Sequence, residues 1–150
     1  MPEAIQIDIA TESEREWCAQ VMAENDPWLA YRFSLDTCTR ILQWPGSTLF
    51  VGKIDGPAGF VLLHPSGFLG CPYIAVIAVV AELRGRGIGA RLLEFAEQHS
   101  AHGRHVYLCV SSFNSRARQF YERHGYVRVG ELPDFIADGY SELLMQKRLS

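Results

Sequence analysis

None of the four cysteines, Cys18, Cys38, Cys71 and Cys109, stands in a CxxC pair, so the usual thiol-redox and zinc spacings are missing. Scattered thiols of this kind read as buried free cysteines in a reducing cytoplasm. Long hydrophobic runs are missing too. The longest, Tyr73 to Ala81, is far shorter than the roughly 20 residues a membrane-spanning helix needs. Positive charge is not in excess: 14 Lys and Arg stand against 17 Asp and Glu, a formal net charge of -3. That balance argues against nucleic acid as a partner. The opening "MPEAIQIDIA" lacks the basic region and apolar core of a signal peptide. No repeat, low-complexity tract or linker interrupts the 150 residues, and that length fits one domain, 1–150, with one core.

What is present is a regular succession of short elements. Ile5, Ile7 and Ile9 alternate with polar residues, which predicts a half-buried strand. "TESE" from Thr11 to Glu14 is a capping-box pattern, so a helix follows to about Glu24. A second helix is expected from Ser34 to Gln43, with Trp28, Tyr31 and Phe33 in the connection. "STLFVGKI" and "AGFVLLH" read as strands joined at Asp55-Gly56, and "HPSG" as the next turn. "YIAVIAVV" is a continuous apolar run of strand length, expected at the centre of a sheet. A helix from about Gly87 to Ser100, the strand "HVYLCV", a helix in "NSRARQFYERHG" capped by Asn114, and two closing strands complete the order. The economical arrangement is α+β: one mixed sheet of about seven strands flanked by about four helices.

The stretch "RGRGIGARL", from Arg84, places three glycines at a helix start directly after the apolar strand. A Walker loop needs Gly-Lys followed by Ser or Thr, and no such triplet occurs. Gly85, Gly87 and Ala90 match a dinucleotide fingerprint formally, but the following strand, "HVYLCVSSF", supplies no acidic residue to hold a ribose. The remaining reading is a strand-to-helix turn whose bare backbone N–H groups and helix N-terminus hold a pyrophosphate. Arg84 and Arg86 add charge there. A tight turn with solvated arginines does not explain three glycines at a helix start, where each lowers helix propensity.

"VVAELRGRGIGARLL" resembles the acetyl-CoA-binding motif of the GNAT superfamily of N-acetyltransferases, R/Q-x-x-G-x-G/A, with Arg84, Gly87 and Gly89 on its fixed positions. "NSRARQFYERHGY" is similar to the second signature of that family, with Asn114, Ala117, Tyr121, Gly125 and Tyr126 in place. The element order agrees from first strand to last, so the resemblance covers nearly the whole chain. Among subfamilies it is most similar to the ribosomal-protein alanine N-acetyltransferases and their small bacterial relatives. The resemblance implies an acetyl-CoA-dependent transferase that acetylates a primary amine, small molecule or peptide, in a ternary complex. It implies that the backbone of Ile77, Ala78 and Val79 pairs with the pantetheine arm, in the manner of an added strand. Pyrophosphate would fall on Arg84, Gly85, Arg86, Gly87, Ile88, Gly89 and Ala90. Asn114 would meet the pantetheine end or a water, besides capping its helix. Tyr121 stands where the family places the acid that protonates the leaving thiolate. Family habit also admits a homodimer.

The sequence departs from the family at the base. Many relatives carry a glutamate on the fourth or fifth strand; "YIAVIAVV" contains no carboxylate, and the strand-five position corresponds to Cys109. Nothing adjacent to Cys109 would lower its pKa for a covalent route. A water chain, Glu131, Asp134 or Asp138 near the last hairpin, or a residue within 24–28 stay open as the base. The missing glutamate keeps a rival in view: a non-catalytic acyl-CoA-binding module. His99, His102 and His105 stand at spacings of three, but the helix-to-strand passage separates them and no metal site is expected. Arg116, Arg118 and Arg123 are three candidates for the 3′-phosphate of coenzyme A.

Overall fold

The protein, described here over residues 4–149 of a computed structural model, is built around a seven-stranded sheet. In chain order its elements are β1 (Gln6–Ile9), α1 (Glu12–Ala23), α2 (Leu35–Leu42), β2 (Thr48–Lys53), β3 (Pro57–Phe68) and β4 (Cys71–Val79). A 3-10 turn (Ala81–Leu83), α3 (Ile88–Gln98), β5 (His105–Ser111), α4 (Ser115–Arg123), β6 (Val127–Pro133) and β7 (Ser141–Arg148) follow. The sheet order is β1-β2-β3-β4-β5-β7-β6. Every neighbouring pair is antiparallel except β4 and β5, which are parallel. The expected α+β mixed sheet with four helices is the observed one.

Local chemistry explains the helix ends. Thr11 Oγ1 accepts from the Glu14 N–H at 3.2 Å while Glu14 Oε1 accepts from the Thr11 N–H at 2.9 Å, the predicted capping box. Ser34 and Asn114 cap α2 and α4 with single side-chain bonds, accepting from the Thr37 and Ala117 N–H groups. One expectation fails: "HPSG" is not a turn. β3 runs through it to Phe68, and the chain reverses at Leu69 and Gly70. The reason is tertiary. The ring of Trp44 packs on His64 with centroids 4.5 Å apart, and His64 Nε2 lies 3.1 Å from the Pro45 carbonyl. These contacts hold a turn-prone segment extended, overriding local preference.

Two apolar layers cover the sheet. Phe50, Val61, Leu63, Leu92 and Leu108 belong to the layer under α3 and α4; Leu49, Val51, Phe60, Leu62 and Met22 belong to the layer under α1 and α2. The alternation within β2 and β3 is the period-2 rule of a strand buried on both faces. Leu92 is fully buried, with its methyls close to Gly52 and Gly59 on the sheet. Leu92→Ala is therefore expected to cost about 2–5 kcal/mol, read as a lower midpoint in urea unfolding without a change of slope.

β4 breaks the period-2 rule once. Ile74 faces the α3–α4 layer, but Ala75 and Val76 both face the α1–α2 layer. The register shows why: Leu63 pairs with Ile74 and Leu62 with Val76, so Ala75 is an extra residue, a β-bulge. The bulge bends β4 away from β5, and the site is built around that bend.

Candidate active site

Parallel pairing between β4 and β5 is confined to Tyr73 with Tyr107 and Ile74 with Leu108. Beyond the bulge the two strands diverge, and a cleft of about 920 Å³ opens between them. One wall is the β4 stretch that includes Ile77, Ala78 and Val79; the other is β5 from Leu108 to Ser111. β4 remains paired to β3 as far as Val79, so its β5-facing edge is a strand edge open to an extended ligand.

One end of the cleft is the glycine loop. Gly85 and Gly87 have φ of +83° and +80°, where a side chain is disfavoured, and an added Cβ at either would meet nothing within 4 Å. Space within the protein therefore does not exclude a side chain; backbone conformation does. Gly87 is the N-cap of α3, and no described side chain caps that helix. The first intrahelical bond runs from Arg91 N–H to the Gly87 carbonyl, so the amides before it face forward without a helical acceptor. Together with the helix dipole, such amides can hold an anion. Arg84 ties the loop down: its Nε donates to the Val79 carbonyl at 3.3 Å and its guanidinium to Asn25 Oδ1 at 3.1 Å.

Of the loop residues singled out in the sequence, Arg84, Gly85, Gly87, Ile88, Gly89 and Ala90 line the cleft, and Arg86 does not. Asn114 lines it too, with Oδ1 accepting from the Ala117 N–H at 3.2 Å, so that oxygen serves as the cap. Arg116 and Arg123 border the cleft, whereas Arg118 lies outside it and pairs with Glu122 at 3.3 Å. Tyr121, 8% exposed, presents its ring to the cleft between Phe120 and Tyr126. Burial alone pushes its phenol above the usual range, so it stays protonated and able to donate at neutral pH. Burial also raises the Cys109 thiol, which makes Cys109 a poor nucleophile. The three histidines part company: His99 turns back to the Phe95 carbonyl, His102 reaches the Pro65 carbonyl, and His105 lies beside Tyr107.

The opposite end is aromatic. Tyr31 stacks with Phe33 and meets Phe113 and Tyr140 edge-on, so the connection between α1 and α2 forms a wall of the cleft. At its floor lies Glu142, which sequence reasoning missed. It is 6% exposed and accepts from Tyr31 Oη at 2.6 Å and Ser111 Oγ at 2.7 Å. Burial first, and the bond to Glu142 second, push the Tyr31 phenol up to about 12. Glu131, Asp134 and Asp138 instead sit exposed outside the cleft. Glu131 is held by Arg128 and Ser141, and Asp134 accepts from the Gly139 N–H.

A sequence model of the acetyltransferase (GNAT) family matches residues 10–126. The chain belongs to that family. An uncharacterised N-acetyltransferase of Methanocaldococcus jannaschii is 37% identical over 103 residues, spanning 66% of this chain and 65% of that protein. Among solved structures, the ribosomal-protein-S18-alanine N-acetyltransferase of Escherichia coli superposes with a TM-score of 0.79 at 18% identity, covering 98% of this chain and 95% of that one. An aminoglycoside 6′-N-acetyltransferase complexed with coenzyme A gives 0.77 at 18% identity, covering 97% of each chain. At such identities the superpositions speak for the GNAT fold and not for a shared acceptor. No described helix of this GNAT protein is long and apolar enough to cross a membrane.

Proposed function

We propose that the protein transfers the acetyl group of acetyl-CoA to a primary amine by direct attack within a ternary complex. The observation that carries this reading is one continuous cleft with uncapped backbone amides at the start of α3, an open strand edge on β4 and a buried phenol at Tyr121. Those three features suit, in order, a pyrophosphate, an amide-bearing arm and a leaving thiolate. The space an added Cβ would take at Gly85 and Gly87 is where those amides meet the anion. The β5-side edge of β4 around Ile77, Ala78 and Val79 offers main-chain donors and acceptors to the arm. Arg116 and Arg123, at the cleft margin, suit the 3′-phosphate. Tyr121 hydrogen-bonds and protonates the departing sulfur.

The aromatic end receives the amine. The four cysteines are free, in keeping with a reducing cytoplasm, and we take 1–150 as one catalytic domain. The test has two stages. Acetyl-CoA is expected to raise the melting temperature, and NADH and ATP to leave it unchanged. Release of free thiol with a panel of amines then reads turnover. Stabilisation by acetyl-CoA with no turnover of any amine would leave the binding-module reading in its place.

A further inference from the structure

Glu142 is a charged side chain nine-tenths buried, and its hydrogen bonds come from two neutral hydroxyls that both donate to Oε2. A carboxylate removed from water without a cationic partner is costly. Here it lies at the floor of the cleft, with Oε1 as the remaining acceptor. Two elements far apart in the chain converge on it, Tyr31 from the α1–α2 connection and Ser111 from the end of β5, and β7 sets it opposite Ser111 in register. Tyr73, where β4 still pairs with Tyr107 of β5, lines the same cleft. The lip above is apolar: Leu29, Phe135 and Ile136 border the cleft, and all three are exposed, Phe135 by 66%.

Resting on the acetyltransferase reading, we infer that Glu142 binds the ammonium of the acceptor and takes its first proton, and that the acceptor is a primary amine carried on an apolar group. The ammonium enters against Oε1 and the aromatic wall. Glu142 takes one proton, leaving a neutral amine. The nitrogen lone pair forms the C–N bond at the acetyl carbonyl, and the C–S bond breaks. The sulfur receives the Tyr121 proton, and the second nitrogen proton returns to Tyr121. Glu142 then releases its proton to solvent, so one proton is liberated per acetyl transferred. The base function missing from β4 and β5 is thereby supplied from β7.

Glu142→Gln keeps an oxygen to accept from Tyr31 and Ser111, so the fold is retained, checked by an unchanged acetyl-CoA affinity and thermal melt. Two acceptors are compared at pH 7: leucinamide, which is cationic, and O-benzylhydroxylamine, which is already neutral. The substitution is expected to lower kcat/KM for leucinamide about 100-fold and for O-benzylhydroxylamine less than about threefold, because only the first needs a base. Glu142→Asp, which keeps the charge, is expected to recover part of the leucinamide loss. Equal losses with both acceptors, or no loss with leucinamide, overturn the assignment. Leucinamide binding without acetyl-CoA, followed by NMR titration, is a separate readout: it is expected to weaken at least about tenfold in Glu142→Gln. A protein that binds leucinamide through Glu142 but not acetyl-CoA would overturn the acetyltransferase reading while leaving the ammonium site standing. Glycinamide turned over as well as leucinamide would overturn the apolar class of acceptor.

Discussion

Tyr121→Phe is expected to lower kcat by about 100-fold or more, the span associated with loss of a positioned general acid, while the Kd for acetyl-CoA stays within about twofold of wild type. The ring accounts for the residue's packing. It sits among Phe120 and Tyr126 under the cleft, and phenylalanine keeps those edge-to-face contacts. Only the hydroxyl is removed, so a drop in turnover reports the proton and not the scaffold. Because burial raises the phenol's pKa, this acid is not titrated away on the alkaline side until above its ordinary value of about 10. The same shift has a sign for stability. The buried phenols of Tyr121 and Tyr126 keep their full contribution to stability below about pH 10, and it is lost as pH rises above that value, where the unfolded chain ionises first. Unchanged turnover in Tyr121→Phe would remove the acid role outright.

The second large effect is expected at Gly87. Gly87→Asn retains a residue that tolerates the left-handed conformation observed at φ +80°, so α3 keeps its start. Its side chain, however, enters the open space in front of the free amides. Acetyl-CoA affinity is expected to fall by at least about tenfold, equivalent to about 1.4 kcal/mol. The melting temperature without ligand should shift by only a few degrees, roughly what 1 kcal/mol produces in a domain of this size. Isothermal titration alongside a thermal melt separates the two. A variant that loses stability in proportion to its affinity would show that Gly87 serves the turn alone.

The geometry of the proposed donor side was largely legible in the chain because it is local. Backbone amides at the start of α3 belong to consecutive residues 85–90, and the spacing that lets glycines adopt positive φ is written in the same stretch. Tyr121 and Asn114 lie on one short helix, and their positions relative to each other follow from 3.6 residues per turn. None of this needs a contact between distant parts of the chain.

The proposed acceptor side needed the fold. "SELLMQKRL" shows an acidic residue ahead of an apolar pair, and alternation alone sets Glu142 on the face opposite Leu143 and Met145. It does not show that β7 inserts between β5 and β6, nor that Ser111 is its partner. Tyr31, 111 residues away in sequence, completes the arrangement. In the same way, the bulge at Ala75 is invisible in an unbroken apolar run, since every residue of "YIAVIAVV" is acceptable on either face. Periodicity and motif, acting between near neighbours, settled most of the strands and helices and pointed to the glycine loop as the place for an anion. Strand order, register and one extra residue settled where the cleft opens and which carboxylate lies at its floor, because those depend on which strands meet and not on what each contains.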